Sequence, residues 1–191
     1  RIIKQKNHKQ KNYIVNTNCI EVKNFTKKFG DFTAVDDILF NVEQGSIFAF
    51  LGPNGAGKST TINTLCTIQE KTYGELKING NDVTHQKDKV REDIGIVFQD
   101  STLDGKLTVM ENLKLHCDFY NVPKIEVKDR IDFALNLVNL TDWGKTPVDS
   151  LSGGMKRRAE IARGLVHFPK VLFLDEPTTG LDPQSRANVW D

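Results

Sequence analysis

Short, unbroken apolar runs recur along this chain. Three of them, at residues 47–51, 94–98 and 171–174, have the length and composition of strands that are buried on both faces. A helical pattern at residues 59–68 follows the first run directly. Because buried strands that alternate with helices are typical of a parallel sheet covered by helices, the pattern predicts an α/β domain.

A different pattern of strands occupies the early part of the chain. Residues 20–25 alternate between apolar and polar positions, and residues 34–42 form a second predicted strand after a turn at residues 28–31. Residues 73–80 predict a further strand that ends in an Asn-Gly turn. Alternation of this kind indicates strands with one buried face and one solvated face.

Residues 107–169 contain no strand pattern before the last apolar run. Thr108, with Glu111 three residues later, predicts a helix N-cap of the capping-box type. Residues 125–140 predict a second helix with its apolar positions on one face. We therefore expect a helical insertion within the α/β domain.

Composition excludes few functions. Lys and Arg total 26 and Asp and Glu total 25, so the balance of charge does not point to a nucleic acid as the main ligand. The first 18 residues are polar and basic, as expected of a disordered tail. Three scattered cysteines indicate reduced thiols in a cytosolic protein: Cys19, Cys66 and Cys117. His116 and His167 are isolated in the sequence and are interpreted as structural.

A glycine-rich loop lies between the first buried run and its helix. It fits the phosphate-loop pattern Gly-x4-Gly-Lys-Ser/Thr, and its residues are Gly52, Pro53, Asn54, Gly55, Ala56, Gly57, Lys58, Ser59 and Thr60. Its glycines let successive backbone N–H groups turn toward an anion, and the helix start adds further N–H donors. Lys58 can reach the outer phosphates, and the Ser59 hydroxyl can bind magnesium. The alternative is an ordinary glycine turn that caps a helix, which the flanking strand and helix disfavour.

The other two buried runs end in polar residues. Gln99 follows the run at residues 94–98, and Asp175 and Glu176 follow the run at residues 171–174. Ligands of open α/β sheets bind at the carboxyl ends of the strands, so these side chains are expected to face the same crevice. Asp175 is a candidate ligand of magnesium, and Glu176 is placed to polarise an attacking water. A surface glutamine and two solvated carboxylates are the alternatives.

A second helix start resembles an anion site. Ser152 is a good N-cap, and Gly153 and Gly154 allow close approach to the backbone. The basic residues that follow, Lys156, Arg157 and Arg158, have the alternative of forming only a solvated helix face. Phe29 is a candidate for stacking on a nucleotide base, although the sequence alone favours a core or turn aromatic.

Together these motifs resemble the nucleotide-binding domains of ATP-binding cassette (ABC) proteins, over residues 19–191. The family's motifs occur in order as the phosphate loop, Gln99, Leu151-Ser152-Gly153-Gly154, Asp175-Glu176 and Gly180-Leu181-Asp182. Residues 95–121 and the run Leu-Ser-Gly-Gly-Met-Lys-Arg-Arg further resemble drug-exporter ATPases of the daunorubicin-resistance type.

The resemblance implies a P-loop NTPase fold truncated at its C-terminus. Its RecA-like core and N-terminal antiparallel β subdomain are assigned to residues 19–99 and 166–191, and its helical subdomain to residues 100–165. It also implies ATP and Mg²⁺ as cofactors, with the ions held by Ser59, Gln99 and Asp175. The family's roles imply that Glu176, Lys58 and Gln99 are catalytic and that Phe29 stacks on adenine. Ser152, Gly153, Gly154 and Asp182 are expected to contact the nucleotide in a head-to-tail dimer.

The function implied is ATP hydrolysis that drives export of drug-like or lipid-like compounds. The partners implied are a separate transmembrane permease and a second ABC domain, identical or different, with no nucleic acid. The expected location is the cytoplasmic face of the cell membrane. Two departures from the family pattern occur: Met155 stands where a glutamine is usual, and no histidine follows Glu176. The alternatives are a truncated module that binds nucleotide without hydrolysing it and a non-transport ABC ATPase.

Overall fold

The computed structural model describes residues 17–175 of the 191-residue chain. In chain order the strands and helices are β1 (Asn18–Phe29), β2 (Phe32–Glu43), α1 (Lys58–Leu65), β3 (Tyr73–Ile78), β4 (Asn81–Asp82), α2 (Lys87–Asp93), β5 (Ile94–Val97), α3 (Val109–Phe119), α4 (Lys124–Leu137), α5 (Gly153–Leu165) and β6 (Val171–Leu174). Two short 3-10 helices, Thr141–Trp143 and Val148–Ser150, connect α4 to α5. Predictions made for residues 1–16 and from Glu176 onward lie outside the described residues.

The early strands form one antiparallel sheet in the order β2-β1-β3-β4. β1 and β2 make a hairpin in which Phe29 pairs with Phe32, so the turn is confined to Gly30 and Asp31. The predicted strands are confirmed, and β1 runs four residues further than its alternating pattern because pairing with β2 extends it.

The later predicted strands form a parallel pair, in which β5 is mostly buried but only Phe173 of β6 is fully buried. β5 and β6 lie side by side, with Ile94 opposite Val171 and Val97 opposite Leu174. Their carboxyl ends therefore lie at the same edge, which places the residues that follow each strand close together.

The predicted buried strand at residues 47–51 is wrong. The segment is not in a strand, and the side chains of Ile47 and Leu51 are 97% and 93% exposed. Phe48 and Phe50 pack their rings against Phe40 of β2, with centroids 5.3 Å apart in each case. A strand requires a hydrogen-bonded neighbour, and within residues 17–175 no strand pairs with this segment.

The helical part has a core of its own. Thr108 and Glu111 form the predicted capping box at the start of α3, since the Thr108 hydroxyl accepts from Glu111 N–H and the Glu111 carboxylate accepts from Thr108 N–H. α4 ends three residues before the predicted boundary. Buried side chains of α3, α4 and α5 form one hydrophobic cluster, and the antiparallel sheet, α1 and β5 contribute to another.

α5 packs closely against the parallel strands. A Cβ placed on Gly95 of β5 would collide with the carbonyl oxygen of Gly164 in α5, so glycine is needed for this approach. The contact holds α5 against the first half of β5. Within residues 17–175, no helix has both the length and the apolar character needed to cross a membrane.

Candidate functional site

The phosphate loop wraps back on the start of α1. Gly57 is the N-cap of α1 and has a left-handed backbone conformation, with φ of 81°. A Cβ at this position would lie 2.6 Å from the carbonyl oxygen of Ala34 and 2.8 Å from Cγ2 of Val35, so the loop can approach β2 only with glycine there. Since no side chain caps α1, N–H groups of its first turn are available to an external acceptor.

Lys58 folds over the loop that it follows. Its ammonium group donates to the carbonyl oxygens of Gly52 and Pro53, at 2.8 Å in each case. The cation is therefore held among the backbone groups of the loop. An anion bound in the loop would meet both this positive charge and the N-terminal end of α1.

Ser59 and Asp175 meet at the edge of the parallel strands. The Ser59 hydroxyl donates to Oδ1 of Asp175 across 3.2 Å. Asp175 follows β6, and its N–H donates to the carbonyl oxygen of Val97 at 3.0 Å, which extends the ladder between β5 and β6. The hydroxyl and the carboxylate thus present two oxygen ligands at one point beside the phosphate loop.

A cavity of about 350 Å³ lies over the loop. Its lining residues are Phe29, Phe32, Ala34, Asn54, Gly55, Gly57, Lys58, Ser59 and Thr60. Phe29 is 48% exposed, and the ammonium of Lys27 lies 4.7 Å from the centroid of its ring. Phe32, which no sequence motif indicated, shares this wall because the β1–β2 turn brings it beside Phe29.

Other predicted site residues lie outside this cavity. Gln99 is exposed in the loop after β5, at the same sheet edge as Asp175. Ser152 is the N-cap of α5, as predicted, and its hydroxyl accepts from the N–H of Met155 at 3.3 Å. Ser152 and Gly153 are exposed and do not line the cavity, while Glu176 and Asp182 lie outside the described residues.

Two charged residues of α5 are buried, which their sequence did not predict. Arg157, for which a solvated helix face was an open alternative, is only 8% exposed, and Glu160 is 1% exposed. The Glu160 carboxylate accepts from the backbone N–H of Thr102 at 2.6 Å and from the Ser101 hydroxyl at 2.7 Å. The spacing of these charged residues could have indicated their burial, because Arg157, Glu160 and Arg163 recur every three residues beside small apolar residues on one helix.

A partly buried aromatic stack joins the helical part to β5. The ring of Tyr120 stacks on that of His167, and His116 lies against both. Nε2 of His167 lies 2.9 Å from the carbonyl oxygen of Ile94. Burial lowers the pKa of His116 to about 3, and the nearby charge of Arg163 adds to the effect. The pKa of His167 is lowered too, mainly by burial, so both rings are neutral at pH 7.

Residues 35–179 match the family model described as ABC transporter. The chain is 38% identical to the Nod factor export ATP-binding protein I of Ralstonia nicotianae over 93% of this chain and 56% of that protein. It is 40% identical to the daunorubicin resistance ATP-binding protein DrrA3 of Streptomyces coeruleorubidus, over 91% of this chain and 55% of that protein.

Solved structures agree with these sequence matches. The structure of cbiO1 from Clostridium perfringens, described as part of the ABC transporter complex cbiONQ, superposes with a TM-score of 0.83 at 32% identity. The alignment covers 91% of this chain and 71% of that one.

An α/β fold with a phosphate loop at the edge of its sheet defines a phosphate-loop nucleotide-binding protein. Within that class, the chain belongs to the ABC transporter ATP-binding family. The resemblance found in the sequence and the predicted fold class are therefore confirmed. The chain spans about half the length of the curated relatives it matches.

Proposed function

We propose that this chain is the ATP-binding part of an ABC exporter and that it hydrolyses ATP. The observation that carries the proposal is the 3.2 Å contact between Ser59 and Asp175, which joins the phosphate loop to the end of β6. A hydroxyl beside a carboxylate, next to an anion-binding loop, matches the chemistry of a magnesium nucleotide site.

The residues present fit ATP. The cavity over the loop is large enough for part of a nucleotide, and the exposed ring of Phe29 offers a face for the adenine. Lys58, the loop N–H groups and the start of α1 would bind the phosphates. The loop residues around them are Gly52, Pro53, Asn54, Gly55, Ala56, Gly57 and Thr60, and Pro53, which has no N–H, would contribute only to the shape of the loop. Several donors are needed, because one Lys–phosphate contact at ~4 Å contributes only about 4 kcal/mol at an intermediate dielectric.

The residues also fit Mg²⁺, which prefers oxygen ligands and commonly combines one or two protein side chains with phosphate oxygens. Ser59, Asp175 and Gln99 would hold the ion. When bound, magnesium neutralises charge that develops on the transferred phosphate. Gln99 and Lys58 would orient the reactants, and Glu176 would accept a proton from the attacking water.

A second ABC domain is proposed to complete the site. Ser152, Gly153 and Gly154 lie away from the cavity of their own chain, which supports a role for them, with Asp182, at the nucleotide of a neighbouring domain. Backbone groups at the start of α5 are suited to an anion. Identical and different neighbouring domains fit this geometry equally well.

A separate transmembrane permease is the proposed membrane partner, with this chain on the cytoplasmic face of the membrane. The named functions of the relatives support export, and drug-like or lipid-like compounds are the proposed cargo. No role in nucleic-acid binding is proposed. The separate hydrophobic cluster of α3, α4 and α5 supports a helical subdomain at residues 100–165 between core segments at 19–99 and 166–191.

Equilibrium binding of ATP to the full protein tests this proposal. Lys58→Ala should abolish measurable binding, whereas Lys89→Ala, which removes an exposed cation from α2, should bind like the wild type. Equal binding by the two variants would refute the phosphate-loop assignment. Glu176→Gln should keep ATP binding and lose hydrolysis, and a Glu176→Gln protein that hydrolyses ATP at the wild-type rate would exclude the proposed role of Glu176.

A further inference from the structure

Three charged residues of α5 are directed toward the parallel strands and the segment that follows β5. Arg157, Glu160 and Arg163 are spaced three residues apart, so they lie along one side of the helix. Burial of an unpaired charge would be strongly unfavourable, and each of these side chains instead bonds to groups outside α5. Hydrogen bonds from these side chains to residues 96–103 and to Asp175 join α5 to β5, to the end of β6 and to the segment that carries Gln99.

Arg157 bridges the two strand ends. Its guanidinium donates to the carbonyl oxygen of Phe98 and, at 3.2 Å, to the carbonyl oxygen of Asp175. In a regular parallel ladder the next donor to the Asp175 carbonyl would be the N–H of Gln99, because Asp175 N–H already donates to Val97. The Arg157 guanidinium donates to the Asp175 carbonyl oxygen in place of this N–H, at the point where the segment that carries Gln99 leaves the sheet.

Glu160 holds the other end of that segment. Its carboxylate accepts from the Ser101 hydroxyl, from both the N–H and the hydroxyl of Thr102, and from the N–H of Leu103 at 3.2 Å. A carboxylate that accepts four such bonds fixes three consecutive residues relative to the helix. Gln99 therefore lies between Phe98, which is hydrogen-bonded to Arg157, and residues 101–103, which are hydrogen-bonded to Glu160.

Arg163 completes the arrangement. It donates through Nε to Glu160 at 3.3 Å and through Nη2 to the carbonyl oxygen of Ile96 at 3.3 Å. The positive charge of Arg163 partly balances the negative charge of the buried Glu160 carboxylate. The hydrogen bond from Arg163 to Ile96 also joins the helix to the middle of β5. The close approach of Gly164 to Gly95 keeps the helix at this distance.

We propose that Arg157 and Glu160 are positioning residues that set the places of Gln99 and Asp175 at the magnesium site. The inference rests on the proposed function, because it assigns these two residues to the site described there. Neither residue lines the cavity, so they act through the backbone that they hold. Since Ser152 is the N-cap of α5, the same helix also carries the group proposed to contact a neighbouring nucleotide.

Steady-state ATP hydrolysis by the full protein with its permease, titrated with Mg²⁺, tests the proposal. Arg157→Ala should lower kcat by about tenfold or more and raise the Mg²⁺ concentration for half-maximal activity several-fold, while the KM for ATP changes little. Arg157→Lys should recover only part of the loss, because an ammonium group lacks the planar fork that reaches two carbonyl oxygens. The matched control is Lys156→Ala, which removes the adjacent cation of α5.

Thr102→Val gives a second test if Arg157→Ala does not fold. It removes one hydroxyl from an exposed loop and loosens the opposite end of the Gln99 segment. It should raise the Mg²⁺ half-saturation in the same direction at an unchanged melting temperature. Faster amide exchange at residues 98–103 in Arg157→Lys and Thr102→Val, with unchanged exchange in β1 and β2, is also expected.

These measurements distinguish failure of the positioning role from failure of the proposed function. If wild-type protein binds magnesium nucleotide but Arg157→Lys and Thr102→Val match Lys156→Ala in kcat and Mg²⁺ half-saturation, the positioning role is refuted while the proposed function stands. If the wild-type protein does not bind magnesium nucleotide, the proposed function fails, and the positioning role fails with it.

Discussion

Ser59 and Asp175 stand 116 residues apart in the chain, yet the hydroxyl of one lies 3.2 Å from the carboxylate of the other. Ser59 is in the first turn of α1, and Asp175 follows β6. The contact exists because β6 and the phosphate loop meet at one edge of the fold. It joins the part of the site suited to phosphates to the part suited to a metal ion.

Ser59→Ala and Asp175→Asn should each weaken Mg²⁺-dependent ATP binding by about tenfold, because each removes an oxygen ligand or its charge. The double variant should lose less than the sum, with a coupling energy of about 0.5–3 kcal/mol. Calorimetric titration with and without Mg²⁺ provides the measurement. Strictly additive losses would show that the two side chains do not share a ligand.

Phe29→Ala should weaken ATP binding by about 5-fold to 150-fold, because stacking of a base on an aromatic ring contributes about 1–3 kcal/mol. Phe29→Tyr is the conservative control and should bind ATP like the wild type. Phe32→Ala should have a smaller effect if only Phe29 stacks on the base. A larger effect at Phe32 than at Phe29 would transfer the stacking role to Phe32.

Gly95→Ala should destabilise the fold by about 1–3 kcal/mol, because its new methyl group meets the backbone of α5, which cannot move independently. Gly164→Ala is the matched comparison. Its Cβ would lie 3.3 Å from the side-chain methyl groups of Leu172 and Val97, which can shift, and alanine favours the helix. Urea unfolding of both variants measures the difference, and equal stability would contradict the close packing.

The stability of the fold should fall as the pH drops below about 6.5. Burial depresses the pKa of His116 to about 3, so between these values the unfolded chain binds a proton that the native ring does not. His116→Phe keeps a ring against Tyr120 and removes this titration. The loss of stability between pH 7.5 and 5.0 should then be smaller by up to about 2 kcal/mol, at 1.36 kcal/mol per pKa unit.

Urea unfolding at the two pH values measures this difference. An unchanged pH dependence in His116→Phe would mean that the ring is accessible to protons in the native state.

Local patterns were enough where a chemical rule acts within a few residues. Thr108 and Glu111 predicted their own capping box, and Ser152 predicted the start of α5, since a cap involves only neighbouring backbone groups. The strand at residues 47–51 was mispredicted, although its composition is apolar throughout. Strand formation depends on a pairing partner, which the composition of a segment does not specify.

The sequence by itself determined the family and the phosphate loop, because glycine spacing, a lysine and a hydroxyl define an anion site over nine consecutive residues. Only the tertiary structure decided that Ser59 meets Asp175 and that Arg157 lies buried between two strand ends. Both depend on contacts between distant segments. A charged arginine side chain ordinarily prefers water. Arg157 is buried nonetheless, because the carbonyl oxygens at the ends of the two strands accept its hydrogen bonds.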